Sequence, residues 1–554
     1  MRTFFNRQVY AFFLLNVFFI CTISSQQIES EIDQLVSSEY PNNEPGVSIL
    51  VAKDGKPIYR KAFGMANLEL NVPSIPENVY EIGSITKQFT AVAILMLQEQ
   101  GKLSVDDDIT KFIPDYPTQG NTITVHHLLN HTSGIKSYTA MESFINEART
   151  DMTPTELIDV FKNEPMDFKT GEKFLYNNSG YILLGHIIEV VTGDTYENFI
   201  EKNIFEKLGM TSSYYGSNGE LIKNRASGYK QDNNGYTNSD YLSMTLPYAA
   251  GSLMSTIDDL LKWQNAIRDN KIISSESLEK AINGSKLNSG EDIPYGYGWS
   301  KGNVQGSPGY AHGGGIFGYT TNGLYLKDED FYIIGLTNCS CKNIGALTQK
   351  IAAVAIGKPY PNLKDTINLK EEQLKQWVGA YEFDEGVIRH ITFKDGSLNS
   401  LREDANPQSF KLYPFSENRF LFEDVSIEYN FRKNAEGENE VIFVNSGKES
   451  IGKLIDKEPP VQKVAIALSS DILSTYIGTY ELQPNFIIEV TVDGNQIFAQ
   501  ATGQPKFEIF PDSDDHFFVK VVPAQITFNK SEDGSIQSLT LHQGGQNMPA
   551  KKVD

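Results

Sequence analysis

Two strand-patterned stretches at opposite ends of a long helical run constrain this chain more than any other feature. Residues 46–65 alternate apolar and polar side chains around Asp54-Gly55, a hairpin signal. Strand patterning returns at residues 320–338, in LYLKDEDFYIIGLTN, with a tight polar turn near Asp328. Between them helical patterns run over 84–100, 154–163, 179–192, 196–208, 256–269 and 275–283. The first is almost continuously apolar from Phe89 to Leu97 and stops at Gly101, so it reads as a buried helix. Strands at both ends of such a run predict one antiparallel sheet built from both termini of a domain. Helices cover its faces, and a helical lobe is inserted.

Pro359, Pro361 and the charged segment that follows mark a linker over 359–371, which closes a first domain at 26–358. Beyond it WVGAY at 377–381 returns as YIGTY at 476–480, an offset of 99 residues. Phe393-Lys394-Asp395-Gly396 aligns with Val492-Asp493-Gly494 to within a few residues, and the stretch from Asn418 to Phe422 matches that from Asp515 to Val519. Short β-rich runs with regular turns predict two small antiparallel barrels or sandwiches, at 372–457 and 470–554.

At the other end Arg2 and Arg7 precede an apolar run from Tyr10 to Ile23 and the small residues Ser24 and Ser25. This reads as a signal peptide over 1–25 that exports the protein to the periplasm or the exterior. The run is short for a membrane span, so no stable span is expected after cleavage. Ile20 stands where a lipidated Cys21 needs a small residue, so lipidation is discounted. Cleavage leaves Cys339 and Cys341, one residue apart, which would form a strained bridge at best and no framework. There is no His-Glu-x-x-His and no clustered Cys or His, so neither metal nor cofactor is expected. With 48 Lys and Arg against 70 Asp and Glu, the chain has no basic surplus for nucleic acid.

Three short motifs carry chemistry. Ser-x-x-Lys occurs five times, and only Ser84-Ile85-Thr86-Lys87 follows a glycine and opens a buried helix. One turn puts Lys87 on the face of Ser84, and a desolvated ammonium there loses its proton and serves as base. The plain alternative is a helix cap with a solvated lysine. Tyr176-Asn177-Asn178 enters another apolar helix; a phenol beside a cation relays a proton and an amide holds a substrate amide, unless Asn178 or Ser179 is merely an N-cap. His312-Gly313-Gly314-Gly315 stands beside a strand pattern, where glycines admit a second backbone. A flexible glycine loop is the alternative.

The order and context of these motifs resemble the serine penicillin-binding protein and class C β-lactamase family. So do YEIGSITKQFTAVAILMLQEQGKLSVDDDITKFIPDYP, ITVHHLLNHTSGI and YGYGW at 295–299. The resemblance covers about residues 30–355 and implies an α+β domain: a five-stranded antiparallel sheet flanked by helices, plus an all-helical lobe. It implies that Ser84 is acylated, that Lys87 and Tyr176 handle protons, and that Asn178, His312, Gly313 and Gly314 bind substrate. The amides of Ser84 and Gly315 then form an oxyanion hole. LNHTSG at 129–134 is read as a structural loop and Asp106-Asp107-Asp108 as a turn and cap.

Class C enzymes carry Lys-Thr-Gly where this chain has His-Gly-Gly, and a histidine is only partly charged at neutral pH. The His-x-Gly form resembles the peptidase, D-aminopeptidase and esterase branches, and D-aminopeptidases also carry two barrels. The expected function is therefore an exported serine hydrolase acting on small peptides, D-amino-acid derivatives or esters. The alternatives are a β-lactamase, or a penicillin-binding sensor of peptidoglycan stems that does not turn over.

Overall fold

The computed structural model describes residues 26–553 except 142, 233–234, 384–385, 404–408, 424, 446–447, 461–464, 484–485, 503–505, 521–523, 532 and 544–545. The predicted signal peptide, its cleavage site and Cys21 lie outside the described residues. The chain divides into two compact units between Tyr360 and Pro361.

In the first unit, β1 (Val47–Lys53) and β2 (Lys56–Phe63) form the predicted hairpin, with Asp54 and Gly55 at φ 51° and 73°. The strands β3 (Ser300–Val304), β4 (Ser307–Ile316), β5 (Tyr319–Leu326) and β6 (Phe331–Thr337) follow, and the sheet order is β3-β4-β5-β6-β1-β2, antiparallel between the paired strands. The two terminal strand groups thus meet between β1 and β6, with Val47 opposite Thr337. The sheet has six strands where five were expected. The sixth, β3, is a largely polar edge (SKGNV) with no apolar alternation to mark it.

Period-2 alternation assigns the two faces. Leu50, Ala52, Ile334 and Leu336 pack with the helical lobe, whereas Val47, Ile49, Val51 and Ile333 pack on the opposite side. That opposite side is covered by the helical residues 26–39 and a helix over Ile344–Ala355, neither of which the sequence reading picked out. On the lobe side run α1 (Thr86–Glu99), α2 (Asn178–Thr192) and α3 (Ile257–Arg268). Every residue of α1 from Thr86 to Leu97 is buried, which is why its apolar run has no polar stripe. Cys339 and Cys341, expected to form a bridge at best, are joined by a disulfide just after β6. Their Cα atoms lie 5.1 Å apart, inside the usual range for such bridges.

The second unit contains a nine-stranded antiparallel sheet from Gly379–Glu382 to Lys448–Ile455, then a closed eight-stranded barrel from Gly478–Gln483 to Gln546–Lys552. The repeat is a repeat of contacts as well as letters. The Tyr381 hydroxyl donates to the Trp377 carbonyl, and Tyr480 donates to Tyr476 in the same way. The Phe431 amide donates to Asn418 O at 2.7 Å, and Phe528 to Asp515 O at 2.7 Å. Among the described residues no helix is long and apolar enough to cross a membrane.

Candidate active site

Ser84 sits in a 3₁₀ turn, Gly83–Ile85, that runs directly into α1. Gly83 takes φ +51°, a conformation that costs a glycine little. One turn on, Lys87 brings its Nζ to 3.0 Å from Ser84 Oγ. The lysine is fully buried. Its other two partners are Asn178 Oδ1 at 2.8 Å and the Ala250 carbonyl at 2.9 Å, and no carboxylate is among them. Desolvation without a compensating anion drives its pKa well below the ordinary lysine value. A neutral amine fits this surround atom for atom: two N–H groups for two obligate acceptors, and a lone pair for the hydroxyl of Ser84.

Tyr176 enters from the segment before α2. Its ring lies 4.9 Å from Lys87 Nζ, and 38% of its surface is exposed. Burial raises its pKa, and the neighbouring Ser84 hydroxyl opposes that only in part, so the phenol keeps its proton at neutral pH. Asn177, not Asn178 or Ser179, is the N-cap of α2, accepting from Gly180 N at 2.8 Å. Asn178 is thereby free to turn inward. Its Oδ1 accepts from Lys87, its Nδ2 donates to Thr139 Oγ1 at 2.9 Å, and its amide donates to Ser137 Oγ at 3.3 Å.

The third motif lies on β4. The neighbouring β3 pairs with β4 only as far as Ala311, so residues 312–316 continue past its end. A Cβ on Gly314 would lie 2.0 Å from the Ile82 carbonyl, so only glycine lets β4 approach the turn carrying Ser84 this closely. Gly315 N is 3.1 Å from the place a Cβ on Gly83 would occupy, which brings the Ser84 turn and Gly315 side by side. Nothing lies within 4 Å of the Cβ position of Gly315, and Gly313 is exposed.

His312 departs from expectation. It is 6% exposed, with Nδ1 donating to Gly313 O at 2.6 Å and Nε2 accepting from the Tyr295 hydroxyl at 2.8 Å. Burial, with Lys87 nearby, lowers its pKa to about 3. Both ring nitrogens are thus engaged within the fold, and burial favours the neutral imidazole. Tyr295, Thr139 and Ala250 were not singled out from the sequence: their roles come from contacts across 17, 39 and 163 residues. As expected, Asp107 and Asp108 close a turn, accepting from Ser104 N and Thr110 N at 2.8 Å each. Among the described residues no group of three or more His, Cys, Asp or Glu could hold a metal ion.

The sheet, the inserted lobe and the Ser-Lys-Tyr cluster at their junction define the class of β-lactamase/transpeptidase-fold proteins. The chain belongs to the Beta-lactamase family, which residues 32–353 match; residues 462–552 match a domain of unknown function, DUF3471. Penicillin-binding protein 4* of Bacillus subtilis is 29% identical over 427 residues, 73% of this chain and 93% of that protein. The octameric penicillin-binding protein homologue from Pyrococcus abyssi superposes with a TM-score of 0.54 at 30% identity, covering 77% of this chain and 99% of its own. A D-stereospecific amidohydrolase from Streptomyces gives 0.52 at 25% identity, covering 59% and 99%.

Proposed function

We propose that this protein is an exported serine hydrolase that cleaves amide or ester bonds through an acyl-enzyme on Ser84. A catalytic domain over 26–358 carries two barrel repeats, 372–457 and 470–554. The observation that supports this reading most is the surround of Lys87: buried, without a carboxylate, and 3.0 Å from Ser84 Oγ. Its lone pair takes the Ser84 proton as Oγ attacks the carbonyl. Tyr176, whose burial keeps it protonated, delivers a proton to the leaving amine or alkoxide. Two titratable groups driven in opposite directions by one cleft give a base and an acid at the same pH. The amides of Ser84 and Gly315 receive the oxyanion; loss of one such donor costs about 3 kcal/mol. Water then releases the acyl group by the reverse proton path.

The substrate side follows from His312. A neutral, buried imidazole contributes no charge-assisted bond to a β-lactam carboxylate, an interaction of roughly 1.5–3 kcal/mol. Amides and esters of D-amino acids lack that carboxylate and lose nothing, and the likeness to a D-stereospecific amidohydrolase supports the same class. The test is kcat/KM for D-aminoacyl amides, D-Ala-D-Ala peptides, short esters and nitrocefin, in the parent and in Ser84→Ala. Turnover of an amide or ester above nitrocefin, abolished in Ser84→Ala, is expected. Efficient nitrocefin hydrolysis above every amide and ester refutes the substrate class, and turnover retained in Ser84→Ala refutes the nucleophile.

A further inference from the structure

The loop at 129–134, expected to be structural, places His131 beside Tyr176. His131 accepts the Leu175 amide proton with its carbonyl at 3.1 Å and the Asn177 amide proton with Nδ1 at 3.1 Å. These are the two residues on either side of Tyr176. Its ring lies against that of Tyr176, with centroids 4.3 Å apart, and against Tyr295 at 4.7 Å and Tyr181 at 5.2 Å. The residues after it extend the same grip: Thr132 O accepts from Gly171 N at 2.8 Å and Gly134 O from Asp167 N at 2.8 Å.

We propose that His131 is the positioning residue for Tyr176, holding the amides on both sides of it and one face of its ring so that the phenol stays against Ser84. The inference rests on the Ser84 acyl-enzyme reading above. It requires one tautomer. Since Nδ1 accepts, the proton is on Nε2, and Nε2 is buried with no hydrogen-bond partner. Leaving a buried donor unpaired is costly, which marks the acceptor on the other nitrogen as the feature retained. The groups that face the ring are Lys87, His312, Tyr176, Tyr181 and Tyr295, none of them a carboxylate. A protonated ring would lose the Asn177 bond and set a charge beside Lys87. Burial and these neighbours hold its pKa well below the ordinary histidine value. The backbone of His131 lies at φ +62°, a region that asparagine tolerates well, and an asparagine Oδ1 stands near where Nδ1 is now.

The experiment compares His131→Ala, His131→Asn and the parent, all full-length, for the steady-state hydrolysis of a short-chain alkyl ester, whose alkoxide leaving group must be protonated. His131→Ala is expected to lose about 100-fold in kcat with KM within threefold, because proton delivery and not binding is disturbed. His131→Asn is expected to regain at least tenfold of that loss. Imidazole ¹⁵N spectra of the parent should show a neutral Nε2–H histidine signal that is unchanged from pH 8 to pH 5 and is lost in His131→Asn, while that of His127, which also accepts through Nδ1, remains. An unchanged kcat in His131→Ala, an asparagine variant as slow as the alanine one, or an Nδ1–H or charged ring overturns the proposal. The spectra decide it even if His131→Ala fails to fold. A parent that never acylates Ser84 would instead overturn the function while leaving the tautomer measurement standing.

Discussion

Replacing Gly314 with alanine is the smallest change that should disable the site. The new methyl would sit 2.0 Å from the Ile82 carbonyl and 2.3 Å from Thr321 Oγ1, where ordinary contacts begin at 3.4 Å. Thr321 can rotate only by giving up its 2.9 Å bond to that same carbonyl. The backbone must therefore open by about 1.4 Å between β4 and the turn carrying Ser84, the difference between those two contact distances. Overpacking of this kind costs about 1–3 kcal/mol of stability. The larger effect is on chemistry, because Gly315 and Ser84 lie on the two sides of the opened junction. A displacement of about 1 Å costs roughly 100-fold, or about 2.7 kcal/mol of transition-state stabilisation. Gly302→Ala serves as the control, since its methyl would meet nothing closer than the Leu324 side chain at 3.6 Å. The assay is the second-order rate of labelling by a fluorescent penicillin or fluorophosphonate, with thermal melting measured alongside. A folded Gly314→Ala protein that labels within threefold of the parent would refute the reasoning.

Further expectations follow from the same contacts. Asn178→Asp, though isosteric, places a carboxylate 2.8 Å from Lys87 Nζ and holds the lysine as ammonium. It should lose at least 100-fold in acylation near neutral pH, more than Asn178→Ala, and the reverse order would exclude a neutral Lys87. Tyr176→Phe should cost about 100-fold or more by removing the proton donor and exceed Asn178→Ala; equal and mild losses would place the donor elsewhere. Stability should fall on acidification through the range below the ordinary histidine pKa. His312, at about 3 when folded against 6.5 unfolded, stays neutral while the unfolded chain takes up a proton. Its contribution is fully present above pH 6.5 and declines at about 1.4 kcal/mol per pH unit between there and pH 3. A flat melting temperature from pH 7 to pH 4 would contradict its burial.

Local rules accounted for most of the frame. Asp54-Gly55 marked the hairpin because the two positive φ values are a property of those residues, and the all-apolar run of α1 marked full burial. Ser84 and Lys87 were legible because a three-residue spacing on a helix is a geometric fact. The strand β3 was not, since SKGNV pairs through backbone alone and carries no side-chain pattern. The helix over Ile344–Ala355 also went unmarked, although its buried residues, among them Leu347 and Ile351, recur at helical spacing. The charge state of His312 was out of reach for another reason: burial is a sum over neighbours such as Tyr295 and Lys87 that the fold assembles. Asn178 shows the same limit. Its residue type suggested a substrate amide, but the acceptor that Lys87 needs is visible only once α2 is docked on α1.

The central claim is that a neutral Lys87 activates Ser84, and the rate of acylation as a function of pH tests it most directly. Full-length protein is mixed with an activated ester or a fluorescent penicillin between pH 5 and pH 10, and the adduct is mapped by mass spectrometry. A neutral Lys87 predicts a single adduct on Ser84, with a rate that stops rising with pH well below the ordinary lysine value of 10.5, because desolvation disfavours the ammonium. The high pKa of Tyr176 predicts no decline on the alkaline side within that range. An adduct on another residue, or a rate still climbing tenfold per pH unit at pH 10, would contradict it.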